Sequence, residues 1–228
     1  MAKLVYGPIV SDARNKIGGV VFSRSRSGPY SRSKVSPTQP RTSYQSTVRA
    51  NFTSLAKLWG DTTMDANRAG WISLAARYPV KDAFGNSRTL TGLQMFVRCN
   101  GALLAIAESV ILPAPANLIA GTPGAVILTA IAPNANLTLE VAVNPGADEV
   151  PVIYAAAPAS AGRSRSGAGC RQIKFFAAAT AGPYLFMDEY DTKFGPWTVG
   201  ARIFAEIRYV NSTTGAQGGK STQNAIST

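Results

Sequence analysis

The stretch from Arg14 to Gln45, RNKIGGVVFSRSRSGPYSRSKVSPTQPRTSYQ, brings charge, turn chemistry and a helix start together within one segment. Val20 to Arg26 and Tyr30 to Val35 alternate as two half-exposed strands do, and Ser-Gly-Pro lies between them, which predicts a β-hairpin. With Ser27 to Pro29 as the loop, Arg26 stands opposite Tyr30, Arg24 opposite Arg32 and Phe22 opposite Lys34. Arg24, Arg26, Arg32 and Lys34 then share one face. Like charges directly opposite one another are destabilising, so a hairpin of that register calls for an anionic cover, either phosphates or an acidic surface on another subunit. A two-residue turn at Ser27-Gly28 instead sets Arg24 opposite Ser31 and divides the bases between the faces. Both registers are compatible with the sequence.

The charge distribution singles out the same region. The chain of 228 residues carries a net charge of +11. Residues 1–50 hold nine Lys or Arg against one acid, Asp12, whereas residues 51–110 amount to +2 and residues 111–228 to +1. Such asymmetry assigns a polyanionic or acidic partner to the N-terminal segment alone. Cys99 and Cys170 lack CxxC spacing and are expected to be buried thiols in a reducing compartment. No apolar run approaches the ~20 residues of a membrane span, and MAKLVYGPIVSDA has no signal-peptide core, so a soluble protein without a membrane partner is expected.

Beyond the hairpin, VSPTQP (Val35 to Pro40) reads as an extended connector, because each proline fixes φ and displaces its predecessor from the helical region. Thr42-Ser43-Tyr44-Gln45 fits a capping box, and Tyr44, Val48, Phe52, Leu55 and Trp59 then form one apolar stripe ending at Gly60. A second helix is expected to begin after Thr62, with Asp65 at its positive N-terminal end, and to run to Tyr78 before Pro79, with Trp71, Leu74, Ala75 and Tyr78 inward. Val80 to Leu90 reads as a loop or a hairpin turning at Gly85-Asn86. Thr91-Gly92-Leu93-Gln94 repeats the capping-box spacing and opens a third helix to about Glu108, with Leu93, Phe96, Val97, Leu104 and Ala107 inward.

At Pro113 and Pro115 the hydrophobic period changes from that of a helix to that of a strand. Short β-rich runs follow at 125–132, 137–143, 150–157, 171–177 and 201–210, a spacing typical of an antiparallel sandwich of immunoglobulin or fibronectin type. Tyr184 to Phe194 interrupts them as one helix or a helical crossover, and the polar segment from Ser212 onward is expected to fray unless a neighbour holds it. The predicted fold is therefore α+β in three parts: a basic hairpin arm and connector (1–40), a three-helix module (41–110) and a β-sandwich with a polar tail (111–228).

The chain contains no histidine, which removes the commonest general base and metal ligand. No Walker A or GxGxxG is present, so no cofactor is expected. Asp188, Glu189 and Asp191 read as a solvated helical face, and Arg163 and Arg165 as an exposed loop. The candidate partner-binding residues are Arg24, Arg26, Arg32, Lys34, Arg41 and Arg49, with Tyr30 placed to stack on a base.

GGVVFSRSRSGPYSRSKVSPTQPRTSYQSTVR, together with AGWISLAARYP, FGNSRTLTGLQMF and GARIFAEIRYVNSTTG, resembles a large group of proteins encoded by tailed bacteriophages and by bacterial genomes carrying phage-like genes. A similar pattern of Gly-Gly, basic hairpin, Pro-Arg-Thr and helix occurs in domains from Bacteroidetes and their phages. The resemblance implies a virion or assembly protein and no enzymatic activity. On that reading the chain is a capsid-associated, neck or tail component that assembles in the host cytoplasm. Its partners are copies of itself and other virion proteins. A nucleic-acid-binding protein whose arm lies on DNA or RNA is the alternative.

Overall fold

Along the described residues, the first buried side chain is Leu55. In the computed structural model, residues 2–25, 28–36, 42–81, 85–131, 136–166 and 169–228 are described. Among them are four α-helices and several antiparallel sheets, an α+β architecture. The chain divides into two compact units, Met1–Ser46 and Thr47–Thr228.

The first unit is a four-stranded antiparallel sheet of β1 (Ala2–Lys3), β2 (Asn15–Ile17), β3 (Val20–Ser25) and β4 (Gly28–Ser33), in the order β1-β4-β3-β2. β3 and β4 pair as a hairpin, in neither expected register. Phe22 stands opposite Ser31, Arg24 opposite Pro29, and Arg32 opposite Val21. Only two residues lie between the paired Ser25 and Gly28, one fewer than in the first expected register and one position earlier than the two-residue turn of the second; Gly28 has φ +107, a conformation glycine adopts without a Cβ clash.

α1 (Ser43–Gly60), whose first four residues belong to the first unit and the rest to the second, starts one residue after Thr42, whose Oγ accepts from the Gln45 amide at 3.3 Å. Its expected stripe is buried only in its C-terminal half. Leu55 is buried and Trp59 half-buried, whereas Tyr44, Val48 and Phe52 are 59, 49 and 58 % exposed. A 3-10 turn (Thr62–Met64), begun by Asp61 accepting from the Thr63 amide, leads into α2 (Asp65–Arg77). Trp71, Leu74 and Ala75 are buried on α2 as expected, and β5 (Val80–Lys81) and β6 (Ser87–Arg88) form the small hairpin that follows.

α3 (Gly92–Ala105) opens with the full capping box, Thr91 Oγ accepting from Gln94 N and Gln94 Oε1 accepting from Thr91 N. Its inward face differs from the expected one. Met95, Phe96, Cys99, Asn100, Ala102 and Leu103 are buried, Leu93, Val97 and Leu104 are half-buried, and Ala107 is exposed. The reason is that α3 is covered on two sides. Met95, Phe96 and Cys99 join Leu55, Met64, Trp71 and Leu74 in the helical cluster, while Ala102, Leu103 and Ile106 pack against Val150, Val152 and Val210 of the sheet that follows. The expected boundary near residue 111 therefore lies inside the second unit, where Leu112 O accepts from the Trp71 indole and the Leu118 amide donates to Tyr78 Oη.

The remaining strands are β7 (Val126–Ile131), β8 (Asn136–Val141), β9 (Glu149–Ala155), β10 (Arg171–Phe175), β11 (Tyr184–Leu185), β12 (Arg202–Asn211) and β13 (Ser221–Ile226), with α4 (Met187–Phe194) after β11. They form two antiparallel sheets, β11-β8-β7 and β10-β9-β12-β13. β7 alternates buried and exposed residues from Val126 to Ile131, as a strand with one wet face does. Val126, Leu128, Leu137 and Leu139 of the smaller sheet share one apolar cluster with Ile153, Ile203, Ile207 and Tyr209 of the larger. The buried tyrosines keep their hydroxyls bonded, Tyr190 donating to Ala156 O and Tyr209 to Val143 O.

The polar C-terminal segment does not fray. β13 pairs with β12 along its whole length, and its polar side chains reach the start of β7 and the residues before it: Ser221 Oγ donates to Gly124 O at 2.7 Å and Gln223 Nε2 to Val126 O at 3.1 Å. Ser227 is 2 % exposed and donates to Thr198 O. Polarity here supplies edge hydrogen bonds instead of solvation, which composition alone does not reveal.

Candidate functional site

The pairing of the N-terminal sheet sorts its side chains into two faces, since residues alternate along each strand. One face carries Lys3 beside Tyr30 and Ser23, then Arg32 beside Val21 and Lys16. The other carries Arg24 beside Pro29, then Phe22, Ser31 and Asn15, then Val20, Ser33 and Ile17. Lys34 lies one residue beyond β4 and its amide donates to Gly19 O at 2.8 Å. The sheet thus has a basic face and a largely apolar one.

Arg24 and Arg32 are therefore not cross-strand partners, and the repulsion expected between them does not arise. Val21 separates Arg32 from Lys16, so the two charges stand two strand spacings apart, about 10 Å, close to the screening length at physiological salt. The case for an anionic partner consequently rests on the unbalanced charge of the face and not on stored repulsion.

Arg24, Arg32 and Lys34 are exposed and Tyr30 is half-buried. Arg26 and Arg41 lie outside the described residues. Arg49 is exposed on α1, in the second unit. The structure adds Lys3 and Lys16 to the Arg32 face. Their bases are visible in the sequence, but two- and three-residue strands carry too few positions for alternation to register. Arg24 shares a depression of about 380 Å³ with Arg14, Asn15 and Phe22, and Arg14 is held by Asp12 at 2.8 Å. That pair is solvent-exposed and contributes little to stability.

No side chain described in the first unit is buried, and all three apolar clusters begin at Leu55 or later. Val5 is 98 %, Ile9 96 % and Ile17 73 % exposed. A sheet of this size needs an apolar face packed on something to be stable in water.

The two thiols are free. Burial pushes Cys99 up to about 11, and Cys170, half-buried, is raised above its ordinary value by desolvation and then by Glu206. Neither is an activated nucleophile. Glu189 is engaged with Lys174 at 2.6 Å. Among the described residues, no helix is long and apolar enough to cross a membrane. No protein-family model, curated protein or solved structure matches the chain.

Proposed function

We propose that the chain is a non-enzymatic structural protein of a bacteriophage particle, a capsid-associated, neck or tail component that assembles with copies of itself and with other virion proteins through its basic N-terminal arm. The observation that carries this reading is the first unit itself, which joins eight Lys or Arg and one acid to exposed Val5, Ile9, Ile17 and Val20, with no buried side chain described. A segment of that kind gains its order from a neighbour: the apolar face meets an apolar patch, and the basic face meets an acidic rim. The second unit serves as the rigid body that carries it. Among the described residues its seven C-terminal strands are divided so that the first, second and fifth make one sheet and the third, fourth, sixth and seventh the other, which supports reading this part as a fibronectin-type sandwich.

The second reading, binding of DNA or RNA by the arm, draws on Lys3, Lys16 and Arg32 around Tyr30, with no acid described on that face. Mass photometry of the full chain with and without DNA separates the two. Assembly predicts species whose mass grows with protein concentration, changes little between roughly 50 and 200 mM salt, and reverts to monomer in Val20→Asp. Nucleic-acid binding predicts retention of DNA that falls by orders of magnitude over that range through counterion release. A monomer at every concentration that retains no DNA overturns both.

A further inference from the structure

Away from the N-terminal unit, the junction of the helices with the sheets holds a cleft of about 490 Å³ lined by Arg77, Tyr78, Lys81, Arg98, Leu118 and Gln217, among others. Its position is set by local structure. Arg77 ends α2, Lys81 sits on β5, Arg98 lies on the exposed side of α3 next to buried Cys99, and Gln217 follows the tight contact of Gly215 with the Cys99 carbonyl.

Every polar side chain named here offers a donor. Among the described residues, Arg77, Lys81 and Arg98 have no ion-pair partner and no acid lines the cleft. Tyr78 Oη accepts from the Leu118 amide at 3.1 Å, which leaves the hydroxyl proton to be donated. Gln217 Oε1 is taken by Arg208 Nη1 at 2.7 Å, which leaves the NH2 group. Three cations and two neutral donors around a recess with apolar walls focus positive potential into it.

We infer that this cleft binds a phosphate-bearing ligand of nucleotide size. A carboxylate brings one charge and two oxygens. A phosphomonoester brings up to two charges and three terminal oxygens, and so meets two guanidinium forks and an ammonium together. The volume is far larger than a bare phosphate needs and falls in the range of organic-ligand sites. Tyr78, Pro79, Val80 and Leu118 supply surface for an attached base or sugar. The phosphate belongs either to a free mononucleotide or to the end of a nucleic-acid strand.

The test is an NMR titration of the full-length chain, following the Lys81 and Gln217 amides, with AMP, with inorganic phosphate, and with a short single-stranded oligonucleotide with and without a 5′-phosphate. Saturable shifts at both amides are expected with AMP or with the 5′-phosphorylated oligonucleotide. Arg77→Gln combined with Arg98→Gln should weaken them at least tenfold, while the Ile153 and Ile207 amides stay in place and report an intact fold. AMP acting alone identifies a free nucleotide, the phosphorylated strand acting alone a strand end, and either supports the site. No saturable shift with any probe, equal binding by the variant, or equally strong binding of a glutamate-rich peptide overturns the inference. The result does not depend on whether the N-terminal unit drives assembly.

Discussion

Asn100 and Ile111 exchange two hydrogen bonds within the second unit: the Ile111 amide donates to Asn100 Oδ1 at 2.7 Å, and Asn100 Nδ2 donates to the Ile111 carbonyl at 3.2 Å. Nδ2 also donates to Phe96 O, and the side chain is fully buried. One amide thus satisfies both backbone groups of a residue in the connector that crosses α3.

Replacing Asn100 by Leu keeps the volume and removes these partners, leaving the Ile111 N–H and C=O without them. The expected loss is about 3 kcal/mol, a fall in melting temperature of roughly 6 to 12 °C for a unit of this size. Thermal unfolding of the variant measures it; a change below 1 °C means the connector is held by other contacts.

Thr91→Ala removes a complete capping box and should cost about 1 kcal/mol. Thr42→Ala removes a single cap bond of 3.3 Å, where Thr91 also anchors the reciprocal bond from Gln94, and should cost about 0.5 kcal/mol. Urea titrations of the two variants, compared by midpoint, check the order.

Gly215 has φ +67, and a Cβ on it would stand 2.2 Å from the Cys99 carbonyl oxygen. Gly215→Ala is therefore expected to destabilise by more than about 3 kcal/mol. Gly162, whose added Cβ meets nothing within 4 Å, is the control, with an expected change within about 0.5 kcal/mol.

Burial raises the Cys99 thiol from its ordinary value of 9.0 to about 11. Between those values the unfolded chain has lost a proton that the folded chain keeps, so stability falls as pH rises from 9 to 11, by about 2–3 kcal/mol for this group. Below pH 9 the contribution is fully present. Buried Tyr190 and Tyr209, also raised by desolvation, add a decline of the same sign at higher pH. Cys99→Ala should flatten the slope between 9 and 11, as measured by chemical denaturation across that range.

The hairpin register is open to direct cross-linking. Phe22 and Ser31 are opposite each other, at a Cα separation of about 5 Å, within disulfide reach. Phe22→Cys with Ser31→Cys should oxidise to a cross-linked chain, and Arg24→Cys with Arg32→Cys should not. A non-reducing gel after mild oxidation distinguishes them.

Where a signal was local, the sequence carried it. The capping spacing at Thr91, the helical period through Trp71, Leu74 and Ala75, and the alternation from Val126 to Ile131 each depend on neighbours within one turn or one strand. The three helices and strands β7, β8, β9, β10 and β12 were legible for that reason, as was the concentration of bases before residue 50, whereas Tyr184–Leu185, read as part of a helical segment, is the short strand β11. Tertiary structure alone decided which face of α3 is buried, because that face answers to α1 and α2 on one side and to Val150, Val152 and Val210 on the other. It alone made a strand of the polar segment Ser221–Ile226, whose serine and glutamine find acceptors at Gly124 and Val126, almost a hundred residues earlier. It also chose the hairpin register, because moving a strand by one residue exchanges its faces and nothing in the pattern of Arg and Ser weights one face over the other. The basic face of Lys3, Lys16 and Arg32 is a consequence of that choice. Tertiary structure likewise made the cleft of Arg77, Lys81 and Arg98, which exists only where α2, α3 and the loop after β12 meet.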